Sequence, residues 1–187
     1  VSIEEIPART LTRETNWFTR ASLYAVVPGA LLAAGWITAG RVIFGAGGDL
    51  VPIFALTFGP GLLAVLLFAG RWMLQDTQRH EPGTGTTMTI ALLQVTTWLL
   101  ALIFGLLCPD RVDGRTVSAA SQILGDDFIG LSAGFGNTFG ILTFVSAFAM
   151  FFVTMGQARR SAKLAAGITE DDEERLAREN SEYDFLD

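Results

Sequence analysis

The chain has one cysteine, one histidine and one lysine in 187 residues, and only 17% of its residues are charged. A single cysteine excludes a disulfide framework and any multi-cysteine zinc or iron–sulfur site. A charged fraction so far below the roughly 25% of an average soluble domain excludes a disordered chain and an ordinary soluble enzyme. Thirteen basic residues against nineteen acidic ones leave no basic domain for nucleic acid. What stands in their place is apolar: half of the residues are hydrophobic and the mean hydropathy is +0.42.

That apolar content is arranged in runs. Crossing a hydrocarbon core of roughly 30 Å takes about 20 apolar residues at 1.5 Å per residue. Three uncharged stretches meet that length: ASLYAVVPGALLAAGWITAG from Ala21, LVPIFALTFGPGLLAVLLFAG from Leu50 and MTIALLQVTTWLLALIFGLLC from Met88. A fourth, Phe128 to Ala158, is too long for one upright span. Its glycine-rich start, FIGLSAGFGN, reads as a loop or short interfacial helix, with the span beyond it. The expected fold is an all-α membrane protein of four transmembrane helices, over about 21–42, 50–71, 88–108 and 137–156. An N-terminal arm (1–20), an outer loop (109–136) and an acidic C-terminal tail (159–187) complete it.

Basic residues near the span ends give an orientation. Arg9, Arg13, Arg20, Arg71, Arg79, Arg159, Arg160 and Lys163 lie on one side, and Arg41, Arg111 and Arg115 on the other. Cytoplasmic loops carry the excess of Lys and Arg, so both termini are expected in the cytoplasm, with Trp17 and Trp72 at that boundary. The charged start runs straight into a full-length span, which argues against a cleavable signal peptide. The net charge of −6 comes from the tail: Glu170 to Asp187 holds nine acids against Arg175 and Arg178. Arginine outnumbers lysine twelve to one, a bias that points to a GC-rich bacterial or archaeal genome.

The spans themselves are chemically sparse. They hold no Asp, Glu, His or Lys, whereas proton-coupled transport usually needs an intramembrane titratable relay and a haem needs axial ligands. His80, in QRHEPG, reads as a solvated turn residue, and Met150 and Met155 as packing. Pro28-Gly29 and Pro60-Gly61 read as static kinks, since no charged or clustered polar residue accompanies them. Gln94, Thr96, Thr97, Thr143, Ser146 and Thr154 read as hydrogen-bonding glue between helices. Cys108 has no histidine near it in sequence and reads as an inert thiol. Asp110, Asp113, Asp126 and Asp127 lie among Arg111 and Arg115, which favours local ion pairs, and Asp126 or Asp127 is placed to cap the following helix. No catalytic, metal-binding or cofactor-binding constellation emerges, so no enzyme, metal or cofactor is expected.

The features that remain concern partners. Arg41, at the end of the first span, is expected to snorkel to the headgroups or to pair with Asp49 or a partner's acid. Gly136 and Gly140 form a GxxxG pair, which removes side chains from one helix face and admits another backbone. Gly130 and Gly134 form a second pair, of little weight if GFGN is a loop. Tyr183, Phe185 and Leu186 interrupt the acids of the tail and fit docking into a groove on another subunit. Partners are therefore expected to be other integral membrane subunits and lipids. The expected function is a non-catalytic accessory or scaffold subunit of a larger bacterial membrane complex, with a respiratory assembly as the first example. The alternative is a small, homo-oligomeric transporter or channel.

Overall fold

A computed structural model gives the fold and describes residues 10–168. Four helices are long and apolar enough to cross a membrane, which makes the chain a multi-pass membrane protein. Helix α1 (Trp17–Ala39) opens on a capping box, with Asn16 Oδ1 accepting from Thr19 N at 2.9 Å and Thr19 Oγ1 accepting from Asn16 N at 3.2 Å. It ends in a single 3-10 turn, Gly40–Phe44. The second span is two helices, α2 (Leu50–Leu56) and α3 (Phe58–Thr77), divided at Thr57 (φ −126°, ψ −79°). Pro60 explains the break, because it offers no N–H to the Leu56 carbonyl and its ring crowds that carbonyl. Pro28 causes no such break in α1.

Helix α4 (Met88–Leu107) starts at a Thr87 cap and is followed by an antiparallel hairpin, β1 (Asp110–Val112) and β2 (Arg115–Val117). Asp113 (φ 49°) and Gly114 (φ 78°) supply the two left-handed positions of its turn. The short α5 (Ala119–Leu124) leads into α6 (Phe128–Ala165). The stretch expected as an outer loop is thus a hairpin, a short helix and the first turns of α6.

The glycine-rich start of the fourth run is helical as well. Helix α6 runs unbroken for 38 residues, or about 57 Å, far beyond a hydrocarbon core of roughly 30 Å. Water is not present in a bilayer core to satisfy a loop's backbone, so glycines that would open a helix in water remain helical there. Asp127 stands at its N-cap position but makes no side-chain capping bond.

Spans α1 and α6 each pack against both α3 and α4, so α1 faces α6, and α3 faces α4, across the diagonals. The helices approach on small residues. Ala30, Ala33 and Ala34 of α1, Ala69 and Gly70 of α3, and Gly136, Gly140 and Ala147 of α6 are all buried. Leu62, Leu66, Met73, Ile90 and Met150 fill the space between them. A Cβ at Gly29 would collide with the Trp98 ring, so that glycine admits the indole of α4 against α1.

Polar groups of the spans pair across the helices. Ser22 Oγ donates to Gln94 Oε1 at 2.9 Å, and Gln94 Nε2 donates to the Ser22 carbonyl at 3.0 Å. Thr97 Oγ1 and Ser146 Oγ are 2.8 Å apart. Thr143 and Thr154 bond to carbonyls of their own helix, and Thr96 is exposed.

Candidate functional site

Charged side chains gather at both ends of the bundle. The end at which α1 begins and α6 finishes is the terminal end; the other carries the hairpin.

At the terminal end, Arg13 crosses from the N-terminal arm to Asp76 near the end of α3, with Nη1 to Oδ2 at 2.7 Å and Nη2 to Oδ1 at 3.2 Å. Ser161 Oγ of α6 donates to the same carboxylate. Asp76 is buried, so this bidentate pair works where water screens it little. The arm is further fixed by a parallel bridge: Leu11 N donates to the Arg79 carbonyl, and Glu81 N to the Leu11 carbonyl. His80 is buried beside it, its Nδ1 2.8 Å from the Asp76 carbonyl, and is not the solvated turn residue expected. A cavity of about 520 Å³ lies between arm and bundle, with Arg13, His80, Gln157 and Ser161 among its walls.

At the hairpin end, Arg41 is 1% exposed. It does not snorkel to headgroups, nor does it pair with Asp49; it turns into the bundle. Its Nε stands 3.6 Å from Asp110 Oδ2, its Nη1 donates to Cys108 Sγ at 2.8 Å, and its Cζ lies 4.5 Å above the Phe54 ring. The physical reason is the cost of a buried guanidinium without a counter-charge, which Asp110 supplies once the hairpin folds back. Nε and Nη2 have no hydrogen-bond partner among the described residues.

Asp110 does more than balance that charge. Oδ2 accepts from Gly48 N at 2.9 Å, and Oδ1 accepts from Leu50 N at 3.0 Å and from Arg111 N at 2.7 Å. Leu50 begins α2, and Asp49 before it makes no capping bond, so Asp110 caps α2 from another part of the chain. Cys108 lies just past the end of α4. Burial pushes its thiol up from the ordinary value, and the neighbouring Arg41 charge opposes that shift.

Beside this centre a groove of about 630 Å³ runs between α2, α3, α4 and α6. Cys108, Pro109 and Asn137 lie at its hairpin end, and Phe144 and Phe148 line it deeper in the bundle. A second groove of about 420 Å³, between α1 and α4, is lined by Pro28, Gly29, Trp36 and Trp98 among others.

The glycines expected at a partner interface fall inside the fold. Gly136 packs against Leu107 and Pro109, and a Cβ at Gly140 would come within 2.9 Å of the Phe104 ring. Both serve the contact of α6 with α4 in the same chain, whereas Gly130 and Gly134 are exposed and have open space beside them. Tyr183, Phe185 and Leu186 lie outside the described residues. Of the two acids that organise the ends, Asp76 was not singled out by sequence pattern, and Asp110 was read as pairing locally with Arg111 or Arg115, whereas its counter-charge is Arg41. Asp113-Gly114, a strong hairpin signal, does mark the turn that brings Asp110 back. No group of three or more His, Cys, Asp or Glu placed to hold a metal occurs among the described residues.

Comparison with known proteins finds no matching family model, no matching curated relative and no matching solved structure.

Proposed function

We propose that this chain is a non-catalytic accessory or scaffold subunit of a larger bacterial membrane complex, with a respiratory electron-transport assembly as the first candidate. The observation that carries the reading is one face of α6. Leu131, Phe135, Leu142, Val145 and Phe152 are all exposed. They follow the alternating four- and three-residue spacing of a heptad seam, with exposed Thr138 and half-buried Ala149 at the two remaining positions. Gly134 lies beside that seam and leaves room for a neighbouring backbone. The polar groups inside the bundle support the same reading, because they are spent on helix–helix pairs and do not line up as a relay.

In this reading the membrane is the bacterial inner membrane, with the terminal end in the cytoplasm. Arg20, Arg71, Arg159 and Arg160 are exposed there, as the distribution of basic residues requires. The acidic tail, with Tyr183, Phe185 and Leu186, then reaches partners from the cytoplasmic side.

The test is isolation from native membranes in mild detergent, comparing the full chain with one truncated after Ile168. Stable membrane partners that weaken on truncation, with a haem absorbance in the eluate, are the expected result. Partner-free, monodisperse protein in both cases overturns the reading. It would favour the small transporter or channel, for which the break at Thr57 is the one supporting feature. Solute or ion flux in proteoliposomes holding this chain alone is its test.

A further inference from the structure

His80 is only 9% exposed, yet just one of its ring nitrogens is hydrogen-bonded among the described residues. The Asp76 carbonyl can only accept, so Nδ1 carries the proton of that bond and the neutral ring keeps a lone pair at Nε2. Arg41 Nε, Arg41 Nη2 and Thr86 Oγ1 are unpaired and sealed off, whereas His80 Nε2 opens on the cavity of about 520 Å³ that His80 lines at the terminal end. A buried polar atom without a partner costs free energy until something enters to meet it. The volume lies within the range of small-molecule sites.

Donors reach the same cavity from two other elements. Arg13 of the arm uses Nη1 on Asp76 and on the Gly85 carbonyl, and Nη2 once on Asp76. Its Nε and one Nη2 hydrogen therefore have no partner among the described residues. Gln157 of α6 is half-buried, and its amide also forms no hydrogen bond among them. Thr10 and Thr12 add two exposed hydroxyls. The surrounding charge is positive. Arg79 donates to the Ala158 carbonyl at 3.3 Å, beside Gln157, and Arg160 and Lys163 follow within the next two turns of α6. Of the acids nearby, Asp76 is buried against Arg13 and Glu81 is exposed, and no Asp or Glu is among the described walls.

We propose that this cavity binds a phosphate group, accepting from Arg13, from Gln157 and from His80 once Nε2 has taken up a proton from solvent. The donors converge from the arm, from the end of α3 and from α6. A tetrahedral oxyanion presents oxygens in all those directions, whereas a planar carboxylate presents only two. Leu11 and Leu164 flank the polar walls and suit the glyceryl part of a phospholipid, but the same donors would hold a free phosphate. The inference goes beyond the accessory-subunit reading and does not depend on it, because one chain supplies every wall.

The chain has one histidine, so nitrogen-15 labelling of histidine reports this ring alone. The test uses the full chain in a phosphate-free maltoside detergent, at one fixed pH slightly above neutrality. Short-chain phosphatidylglycerol and inorganic phosphate are added separately. Laurate serves as an anionic amphiphile without phosphate, and diacylglycerol as a neutral one. The expected result is a saturable move of the Nε2 resonance from the lone-pair position to the imidazolium position. A move with the lipid alone identifies a headgroup site, and a move with inorganic phosphate identifies the phosphate group itself as sufficient. Leu164→Trp, which fills the cavity from an exposed position, abolishes the move. Gln157→Leu raises the half-saturating concentration about fivefold, the value of one hydrogen bond; this variant decides the matter if Leu164→Trp does not fold. Gln122→Leu, at the hairpin end, leaves the titration unchanged. No move with either phosphate source, an equal move with laurate or diacylglycerol, or a move that survives both cavity variants overturns the proposal. Partner isolation is a separate measurement, so either reading can fail alone.

Discussion

Arg41 Nε and Asp110 Oδ2 face each other at 3.6 Å, with both side chains closed off from solvent. The two groups are not equivalent. Arg41 gains from Asp110 only a counter-charge, while Asp110 also holds the N–H groups of Gly48, Leu50 and Arg111. Removing the carboxylate therefore strands a buried cation and uncaps α2 together. Asp110→Ala is expected to destabilise the fold by about 4 kcal/mol, at the level of a broken buried pair. Adding Asp110→Asn to Arg41→Met is expected to recover stability relative to Arg41→Met alone, because the amide oxygen still caps while no charge is left unpaired. Unfolding in mixed micelles, followed by circular dichroism across the single and double variants, measures both differences.

The terminal end makes a second electrostatic prediction. Arg13 and Asp76 hold the arm across the bundle, with Ser161 on the same carboxylate. Asp76→Ala should cost about 3 kcal/mol, since it leaves Arg13 facing a buried site without its partner. Ser161→Ala should cost about 1 kcal/mol, the value of one hydrogen bond. The local signature is amide exchange at Leu11 and Glu81, whose N–H groups form the bridge between arm and bundle. Asp76→Ala and Arg13→Ala should both speed exchange there while leaving α4 protected. Unchanged exchange would show that the bridge holds the arm without the ion pair.

These two pairs mark the limit of what was legible in the sequence. The spans were readable because hydropathy over about 20 residues is a local property, and three of the four expected spans begin or end within a few residues of a helix end. The role of Gln94 was readable too, because an amide inside an apolar run has few options other than another helix. Arg41 was not, because its partner was sought nearby at Asp49, and a hairpin more than sixty residues away delivers Asp110 instead. Helix α6 was shortened in the reading because Gly134 and Gly136 suggest a loop by the rules of water. In lipid, the need to satisfy the backbone internally overrides that preference. Gly136 and Gly140 were read as a helix face open to a partner's backbone, and their missing side chains instead admit Phe104 and Leu107 of α4.

The two GxxxG pairs should accordingly respond in opposite ways. Gly140→Leu places a branched side chain where even a Cβ falls within 2.9 Å of Phe104, so α6 must move off α4. A loss of about 3 kcal/mol is expected, in the upper range for overpacking a core. Gly134→Leu meets open space and should leave the isolated chain as stable as the parent. Its effect should appear in native membranes, as weaker recovery of partner subunits. If Gly134→Leu copurifies with partners at the parental level, the α6 seam is not the interface.

A last comparison separates the two proline–glycine sites. Gly29 and Gly61 each follow a proline inside a span, but only Gly29 has a side chain packed where its Cβ would be. The Trp98 ring occupies that space, whereas Gly61 has nothing within 4 Å. Alanine favours a helix over glycine by about 1 kcal/mol, so Gly61→Ala should be neutral or stabilising by up to that amount. Gly29→Ala gains the same propensity but displaces the indole, and overpacking of about 1–3 kcal/mol outweighs it. Thermal unfolding should place Gly61→Ala at or above the parent and Gly29→Ala below it, and the Trp emission maximum should shift only in Gly29→Ala. A stabilised Gly29→Ala with unchanged emission would mean that the Trp98 ring does not rest on α1. The reading of Pro28-Gly29 as a packing device, rather than a hinge, would then fail with it.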